Sequence, residues 1–208
     1  ERDAREADLL ARAELGEGPI WDYRRGLLHW VDIRAGAIHI YDPIAAIDRV
    51  VDAGQEVGCV ALRSNGGLIF AGRNGFAELD IESGQVAALL HPERHLPGNR
   101  FNDGKVDPRG RFWAGTMSTE GQQKKGSVYC LFADFSLRTM ITGVSISNGL
   151  AWSADHKTLY YIDTPTQEVA AFDFDADSGE ISGRRTAIRV PPEEGKPDGM
   201  TIDTEGML

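Results

Sequence analysis

The sequence predicts an all-β fold, a β-propeller built from four-stranded antiparallel blades. Short apolar runs are bounded by turn residues, and helical patterning is almost absent. An acidic or amide residue followed by glycine recurs ahead of short apolar runs, at Glu17-Gly18, Asp103-Gly104, Asn148-Gly149 and Asp198-Gly199. Equivalent apolar positions recur with a spacing of roughly 40 to 50 residues, which is typical of propeller blades. A β-sandwich of hairpins is the competing fold, but it would not repeat one four-strand pattern behind the same polar entry.

The clearest repeat unit covers residues 149–190. Its predicted strands are 150–152, 158–163, 169–174 and 181–190. The loops between them are short and rich in Pro, Asp, Ser and Gly, which favours antiparallel hairpins. This unit is therefore predicted to form one complete blade.

The same pattern predicts three further units upstream. Their strands are 19–21, 27–33, 37–41 and 49–52; 59–63, 68–72, 76–81 and 86–90; and 105–107, 111–117, 127–132 and 137–141. A fifth unit starts near Met200. We expect one domain over residues 1–208 that is truncated or incomplete at its C-terminus, because a ring ending inside a fifth unit would leave unpaired edges.

Composition narrows the classes of partner. The 208 residues carry a formal charge of −10, with a pI near 4.9, so a nucleic acid or a membrane surface is not expected. Cys59 and Cys130 each lie in an apolar run and are predicted to be buried free thiols. No apolar run approaches the ~20 residues of a membrane helix, and we expect a cytoplasmic protein. A removed leader stays open because the chain starts at Glu1, and the sequence does not predict the oligomeric state.

The recurring polar-glycine dipeptides predict a metal site. Any single pair is an ordinary turn signal, but these four recur at the entrance to successive units. The innermost strands of a propeller surround one channel, so their side chains would converge there. Glu, Asn and Asp oxygens suit Ca2+, Mg2+ or Mn2+, with Zn2+ an alternative through carboxylates. The five histidines show no metal-ligand spacing and are interpreted as surface or strand residues.

The densest polar cluster beside a predicted inner strand is residues 98–105. It contains two amides, a guanidinium and an acid, which suggests hydrogen bonding to a polyhydroxylated substrate. A solvated loop is the alternative interpretation. The absence of a Gly-x-Ser-x-Gly motif weakens a serine-hydrolase interpretation.

Several sequence blocks together resemble a known family. They are residues 15–21, 99–108, 115–117, 147–153 and 197–200. These blocks resemble the senescence marker protein, regucalcin and gluconolactonase family of six-bladed propellers. The resemblance spans nearly the whole chain and is specific only when the blocks are taken together.

The resemblance implies one divalent cation and a sugar-binding set. The implied metal ligands are Glu17, Asn148 and Asp198, with Ca2+ favoured and Zn2+, Mn2+ or Mg2+ as alternatives. The implied substrate contacts are Arg100, Asn102 and Glu120, with Asp103 as a further channel-lining residue. Glu120 depends on the variable loop 118–126.

The family resemblance also implies hydrolysis of small-molecule sugar lactones such as gluconolactone. In the expected mechanism the cation polarises the lactone carbonyl, water attacks with Asp198 as general base, and Arg100 and Asn102 orient the sugar hydroxyls. Three alternatives stay open: a regucalcin-type calcium-binding regulatory protein, a hydrolase of a different lactone or ester, and a protein-interaction scaffold.

Overall fold

Within residues 12–208, which the computed structural model describes, sixteen strands and two short 3-10 helices form. Residues 1–11 of the predicted domain lie outside the described residues. The strands are β1 Gly16–Asp22, β2 Leu27–Asp32, β3 Ala37–Asp42, β4 Ile47–Asp52, β5 Val57–Leu62, β6 Leu68–Gly72, β7 Gly75–Leu79, β8 Val86–Leu90, β9 Asn99–Val106, β10 Phe112–Ser118, β11 Gly126–Leu131, β12 Leu137–Val144, β13 Ser147–Trp152, β14 Thr158–Asp163, β15 Glu168–Phe174 and β16 Ile181–Arg189. The 3-10 helices are Thr164–Thr166 and Pro192–Glu194.

The strands form four separate sheets, each made of four consecutive strands in sequence order. All neighbours within a sheet are antiparallel. The first strands of successive sheets contact one another, β1 against β5, β5 against β9 and β9 against β13. Four-stranded meanders that face each other through their first strands are the blades of a β-propeller, so the predicted fold class is confirmed.

The core consists of three apolar layers, one between each pair of adjacent blades. Val31, Ile38 and Phe70 belong to the first layer. Phe76, Phe101 and Phe112 belong to the second, and Trp113, Leu150 and Leu159 to the third. Because each fully buried large side chain contributes about 1.5 to 3 kcal/mol, these layers fix how the blades sit relative to one another.

Many of the acidic residues serve hairpin turns. In three of these turns the aspartate Oδ1 accepts N–H groups from the second and third residues after it, and its carbonyl accepts the N–H of a glycine four residues on. These pairs are Asp22 with Gly26, Asp80 with Gly84 and Asp175 with Gly179. The glycine has positive φ, 67° at Gly26, which other residues rarely adopt. The acidic composition is thus partly a consequence of turn chemistry.

The polar-glycine dipeptides do not all precede the inner strands, so that part of the prediction is wrong. Three pairs lie inside β1, β9 and β13, and the predicted starts of these strands are three to six residues late. Each lies at a register irregularity, for example between Glu17 and Ile20 and between Ser147 and Leu150. A bulge turns side chains out of the regular ladder, which hides the strand pattern from sequence periodicity.

The fourth dipeptide, Asp198-Gly199, belongs to a segment without assigned strand pairing among residues 196–208. It lies beside β13, where the Gly149 N–H donates to the Asp198 carbonyl at 3.1 Å. The prediction that Cys59 and Cys130 are buried free thiols is confirmed. No helix within residues 12–208 has the length and apolar character needed to cross a membrane.

Candidate functional site

A cavity of about 520 Å3 opens where the inner strands of the blades meet residues 198–201. The charged and amide residues in its lining are Glu17, Asn102, Asp103, Lys105, Asn148 and Asp198. The structure therefore brings together five of the seven predicted site residues, and all four polar-glycine dipeptides contribute. A second cleft of about 350 Å3, beside Arg63 and Glu78, contains none of the predicted site residues.

Close approach of the backbones shapes this cavity. A Cβ placed on Gly58 would lie 2.4 Å from the Phe101 carbonyl oxygen, and one on Gly149 would lie 2.5 Å from the Met200 Cβ. Neither position can hold a larger residue unless its neighbours move. The bulged strands can therefore aim side chains into a narrow common space because glycine lets the backbones meet.

Asn148 is buried and its amide is hydrogen-bonded. Its Nδ2 donates to the Thr164 Oγ1 at 2.9 Å, and Thr164 Oγ1 in turn lies 2.9 Å from the Pro197 carbonyl oxygen. Both Asn148 and Thr164 are less than a tenth exposed. This chain of bonds connects the fourth blade to the residue directly before Asp198.

Arg100 and Asn102 form a connected pair. The Arg100 Nη1 donates to the Phe101 carbonyl and to the Asn102 Oδ1, each at 2.8 Å. The Asn102 Nδ2 donates to the Ser147 carbonyl at 2.9 Å. Asn102 lines the cavity, whereas Arg100 is buried outside its lining. Arg100 therefore contacts Asn102 rather than the cavity in this structure, and its sugar contact stays a prediction.

Glu120 lies apart from the cavity. Its side chain is exposed, accepts a hydrogen bond from the Gln122 Nε2 at 3.2 Å and packs beside Gly98. A Cβ on Gly98 would lie 3.1 Å from its Oε1. The predicted sugar contact from Glu120 is untested by this geometry.

The cavity carboxylates repel one another. Partial burial, followed by the charges of Asp198 and Asp103, raises the pKa of Glu17. Burial also raises the pKa of Asp103, and Asp198 adds to that increase. The positive charges of Arg100 on Glu17 and of Lys105 on Asp103 oppose these shifts. A bound cation would relieve the remaining repulsion.

The donor set of the cavity fits a hard cation. Glu17 and Asp198 supply carboxylate oxygens, and the Asn148 Oδ1 accepts no hydrogen bond from residues 12–208. No cluster of three or more His, Cys, Asp or Glu side chains within that range has metal-binding spacing. The predicted ligand set has two carboxylates, Glu17 and Asp198, and the Asn148 amide, so it does not count as a cluster of three such side chains. Two carboxylates and an amide oxygen suit Ca2+ better than a soft metal.

Two further residues belong to this region. The Lys105 Nζ lines the cavity and donates to the Met200 carbonyl at 2.9 Å; burial lowers its pKa. Its place directly after Asp103-Gly104, inside the polar cluster, was a signal that could have found it. Thr164 follows β14 in an ordinary Asp-Thr-Pro-Thr turn, and nothing in the sequence links it to Asn148.

The chain matches named relatives over almost its whole length. Regucalcin from Xenopus laevis is 44% identical over 200 residues, which are 94% of this chain and 67% of that protein. YvrE of Bacillus subtilis, named for a candidate sugar lactone lactonase activity, is 43% identical over 203 residues, 98% of this chain and 69% of that protein.

Solved structures of a regucalcin and a gluconolactonase are also similar to this chain. A regucalcin from Agrobacterium tumefaciens, described as a calcium-binding protein, has a TM-score of 0.88 at 29% identity, covering 93% of this chain and 66% of that one. A gluconolactonase from Xanthomonas campestris has a TM-score of 0.77 at 28% identity, with 93% and 68% covered. The Dos1 propeller matches in fold alone, with a TM-score of 0.59 at 14% identity over 86% of this chain and 48% of that one.

A family model described as the SMP-30/Gluconolactonase/LRE-like region matches residues 15–208. That range includes every predicted site residue and nearly all of the described structure. The resemblance predicted from the sequence blocks is therefore confirmed. The chain belongs to the SMP-30/gluconolactonase/LRE-like family.

Proposed function

We propose that this chain is a divalent-metal-dependent hydrolase that opens sugar lactones of the gluconolactone type to aldonic acids. The observation that carries the proposal is the convergence of Glu17, Asn148 and Asp198 on one cavity, in a chain of the gluconolactonase family. The names of the Xanthomonas gluconolactonase and of the Bacillus relative support a lactone substrate.

Glu17, Asn148 and Asp198 would hold the cation. They differ in burial: Asn148 is enclosed, while Glu17 and Asp198 are exposed to the cavity opening. Three protein ligands leave coordination positions for water and substrate, as a catalytic site requires. When bound, a divalent cation would polarise the lactone carbonyl and stabilise negative charge on its oxygen. We favour Ca2+, with Zn2+, Mn2+ and Mg2+ as the alternatives to be compared.

Asp198 would act as general base. A water molecule attacks the carbonyl carbon and gives a proton to the Asp198 carboxylate. The ring carbon–oxygen bond then breaks, and the departing ring oxygen takes that proton back from Asp198 to become the hydroxyl of the aldonic acid, which restores the Asp198 carboxylate. The Gly149 N–H donates to the Asp198 carbonyl at 3.1 Å, which fixes the backbone that carries this base.

The other predicted residues would bind the sugar or position a residue that binds it. Asn102 and Asp103 line the cavity and can exchange hydrogen bonds with sugar hydroxyls. Arg100 would act by holding the Asn102 amide through its 2.8 Å hydrogen bond, and Glu120 would contact the substrate from its loop. An acidic cavity favours a neutral, polyhydroxylated lactone over an anionic one.

The direct test is acid release from gluconolactone by the purified chain. We expect hydrolysis to fall to the uncatalysed rate after treatment with a chelator and to return when one of Ca2+, Zn2+, Mn2+ or Mg2+ is added. The add-back series identifies the metal that supports turnover. Hydrolysis that is unchanged by complete metal removal would contradict the proposal.

A calcium-binding protein without turnover is the second candidate. The Xenopus relative is named regucalcin and the Agrobacterium structure is described as calcium-binding, and the same three ligands would serve that role. The two functions predict different affinities, because a site completed by water and open to substrate binds Ca2+ weakly. Nanomolar Ca2+ affinity without hydrolysis of any lactone or ester tested would favour the regulatory role.

A further inference from the structure

We propose that Thr164 is the positioning residue of the cation site and that its hydroxyl sets both Asn148 and the backbone before Asp198. The inference rests on the proposed function, in which Asn148 and Asp198 are ligands of the cation. Thr164 is 7% exposed and starts the 3-10 helix Thr164–Thr166 at the end of β14. It lies outside the polar-glycine pattern, so no blade repeat predicts it.

The hydrogen bonds of Thr164 determine how the Asn148 amide is oriented. A carbonyl oxygen can only accept, so the Thr164 hydroxyl must give its single proton to the Pro197 carbonyl, 2.9 Å away. Toward Asn148, also at 2.9 Å, the same oxygen can then only accept. The Asn148 group facing Thr164 is therefore the Nδ2 donor. The carbonyl Oδ1 is left for the cavity, where an oxygen ligand is needed.

The same hydroxyl also holds the segment that carries Asp198. Residues 196–201 have no assigned strand pairing, so their position depends on individual hydrogen bonds. Three such bonds from residues 12–208 reach this segment: Thr164 to the Pro197 carbonyl, the Gly149 N–H to the Asp198 carbonyl and the Lys105 Nζ to the Met200 carbonyl. Thr164 alone among these three donors also contacts another proposed ligand.

Partners of metal ligands orient the ligands before the ion binds. Loss of such a partner typically lowers metal affinity by about 10- to 100-fold. A Thr164→Val variant keeps the shape and the methyl group but has no hydroxyl. It would leave the Asn148 Nδ2 without its acceptor and the Pro197 carbonyl without its donor.

The test compares Thr164→Val with Thr164→Ser and Thr166→Val by Ca2+ titration calorimetry. We expect Thr164→Val to weaken Ca2+ binding about 10- to 100-fold. Thr164→Ser should bind close to the unsubstituted chain because it restores the hydroxyl. Thr166→Val is the matched control: its hydroxyl donates to the Asp163 carbonyl in the same turn and touches neither proposed ligand. Equal Ca2+ affinity in all three variants would overturn the inference.

A measurement without metal separates this inference from the proposed function. In the metal-free chain, the side-chain NH2 resonances of Asn148 and hydrogen exchange of the Gly149 amide report the two positions directly. We expect both to change in Thr164→Val and to be restored in Thr164→Ser. Unchanged signals in Thr164→Val would overturn the positioning role even if the chain binds Ca2+. If the unsubstituted chain bound no divalent cation, the proposed function would fail, while these signals would still decide whether Thr164 sets the two residues.

Discussion

Acidic residues in the hairpin turns and acidic residues in the central cavity have opposite electrostatic environments. At Asp80 and Asp175, the carboxyl pKa is lowered chiefly by hydrogen bonds from the backbone N–H groups of Ser83 and Ser178, respectively. At Glu17 and Asp103, burial and neighbouring carboxylates raise the pKa instead. The same side-chain chemistry therefore stabilises the fold in one region and opposes it in the other.

This difference separates structural from functional acids without any knowledge of function. Carboxylates whose oxygens accept backbone N–H groups complete a turn and have no need of a ligand. Carboxylates that are brought together by three different chain segments, with few donors of their own, raise the energy of the folded state until something positive binds. The cavity acids belong to the second kind.

The largest effect on stability should come from a buried acid whose oxygens, like those of the turn acids, accept backbone N–H groups. Asp107 accepts N–H groups of Arg109 and Arg111, the Arg111 Nε at 2.5 Å and the Trp113 Nε1 at 3.0 Å. We expect Asp107→Asn to lower the free energy of unfolding by about 3 to 5 kcal/mol, because the buried guanidinium loses its counter-charge. Denaturant unfolding measures the change.

The control for Asp107 is Asp177→Asn on the same side of the molecule. Asp177 pairs with Arg109, but both side chains are mostly exposed. We expect a loss below about 1 kcal/mol. Equal losses in the two variants would mean that Asp107 does not stabilise the third blade by charge pairing.

The largest effect on activity should come from Asp198. We expect Asp198→Asn to reduce lactone hydrolysis at least about 100-fold, since it removes the proposed general base and a ligand charge. The free energy of unfolding should hardly change, because Asp198 is exposed and no described hydrogen bond uses its carboxylate. Initial rates of acid release, together with denaturant unfolding, measure both quantities.

Asp203→Asn is the matched control for Asp198. Asp203 belongs to the same C-terminal segment, but its Oδ1 accepts the N–H groups of Glu205 and Met207 in a turn. Its variant should retain activity. A variant of Asp198 that kept full activity would remove this residue from the proposed mechanism.

The smallest effect concerns pH. The pKa of Glu17 is raised in the folded chain, so its ionisation at neutral pH opposes folding, and that penalty decreases as pH falls through the folded pKa toward the ordinary value of 4.5. The contribution of Glu17 to the stability of the metal-free chain should therefore become more favourable between pH 7 and about pH 5, while His29 and His91, whose pKa values are lowered by burial, change in the opposite direction. Glu17→Gln should lack the Glu17 contribution and be more stable at pH 7 by well under about 1 kcal/mol, because Glu17 is solvent-screened.

Asp80→Asn is the control for this measurement of stability against pH, because the pKa of Asp80 is shifted in the opposite direction to that of Glu17. The pKa of Asp80 is lowered, so its contribution to stability is present above the ordinary value of 3.8 and is lost as pH falls through the folded pKa. Its removal should leave the change between pH 7 and about pH 5 unaltered. Identical pH profiles for the Glu17→Gln variant and the unsubstituted chain would contradict strain among the cavity acids.

Most of the fold could be predicted from the sequence because the residues that define a hairpin lie close together in the chain. All sixteen strands were predicted, and their boundaries depend on turn residues such as Asn65 and Asp177 that act within a few positions. The early starts of β1, β9 and β13 were missed because a bulge breaks the alternation that marks a strand. Repeat position predicted that the polar-glycine dipeptides converge.

The finer geometry of the site could not be predicted. The sequence does not predict that Arg100 turns toward the Asn102 amide, because the direction of a long side chain depends on packing. Nor does it connect Thr164 with Asn148, which lies on the neighbouring strand of the same blade. These contacts depend on side-chain directions within each blade, and no sequence pattern records them.

The most direct test of the central account is Ca2+ titration of the metal-free chain by calorimetry, compared with Glu17→Gln, Asp198→Asn and the turn variant Asp80→Asn. The account predicts one bound ion per chain, strongly weakened binding in both cavity variants and unchanged binding in Asp80→Asn. A chain that binds no divalent cation, or that binds one equally well without Glu17 and Asp198, would contradict it.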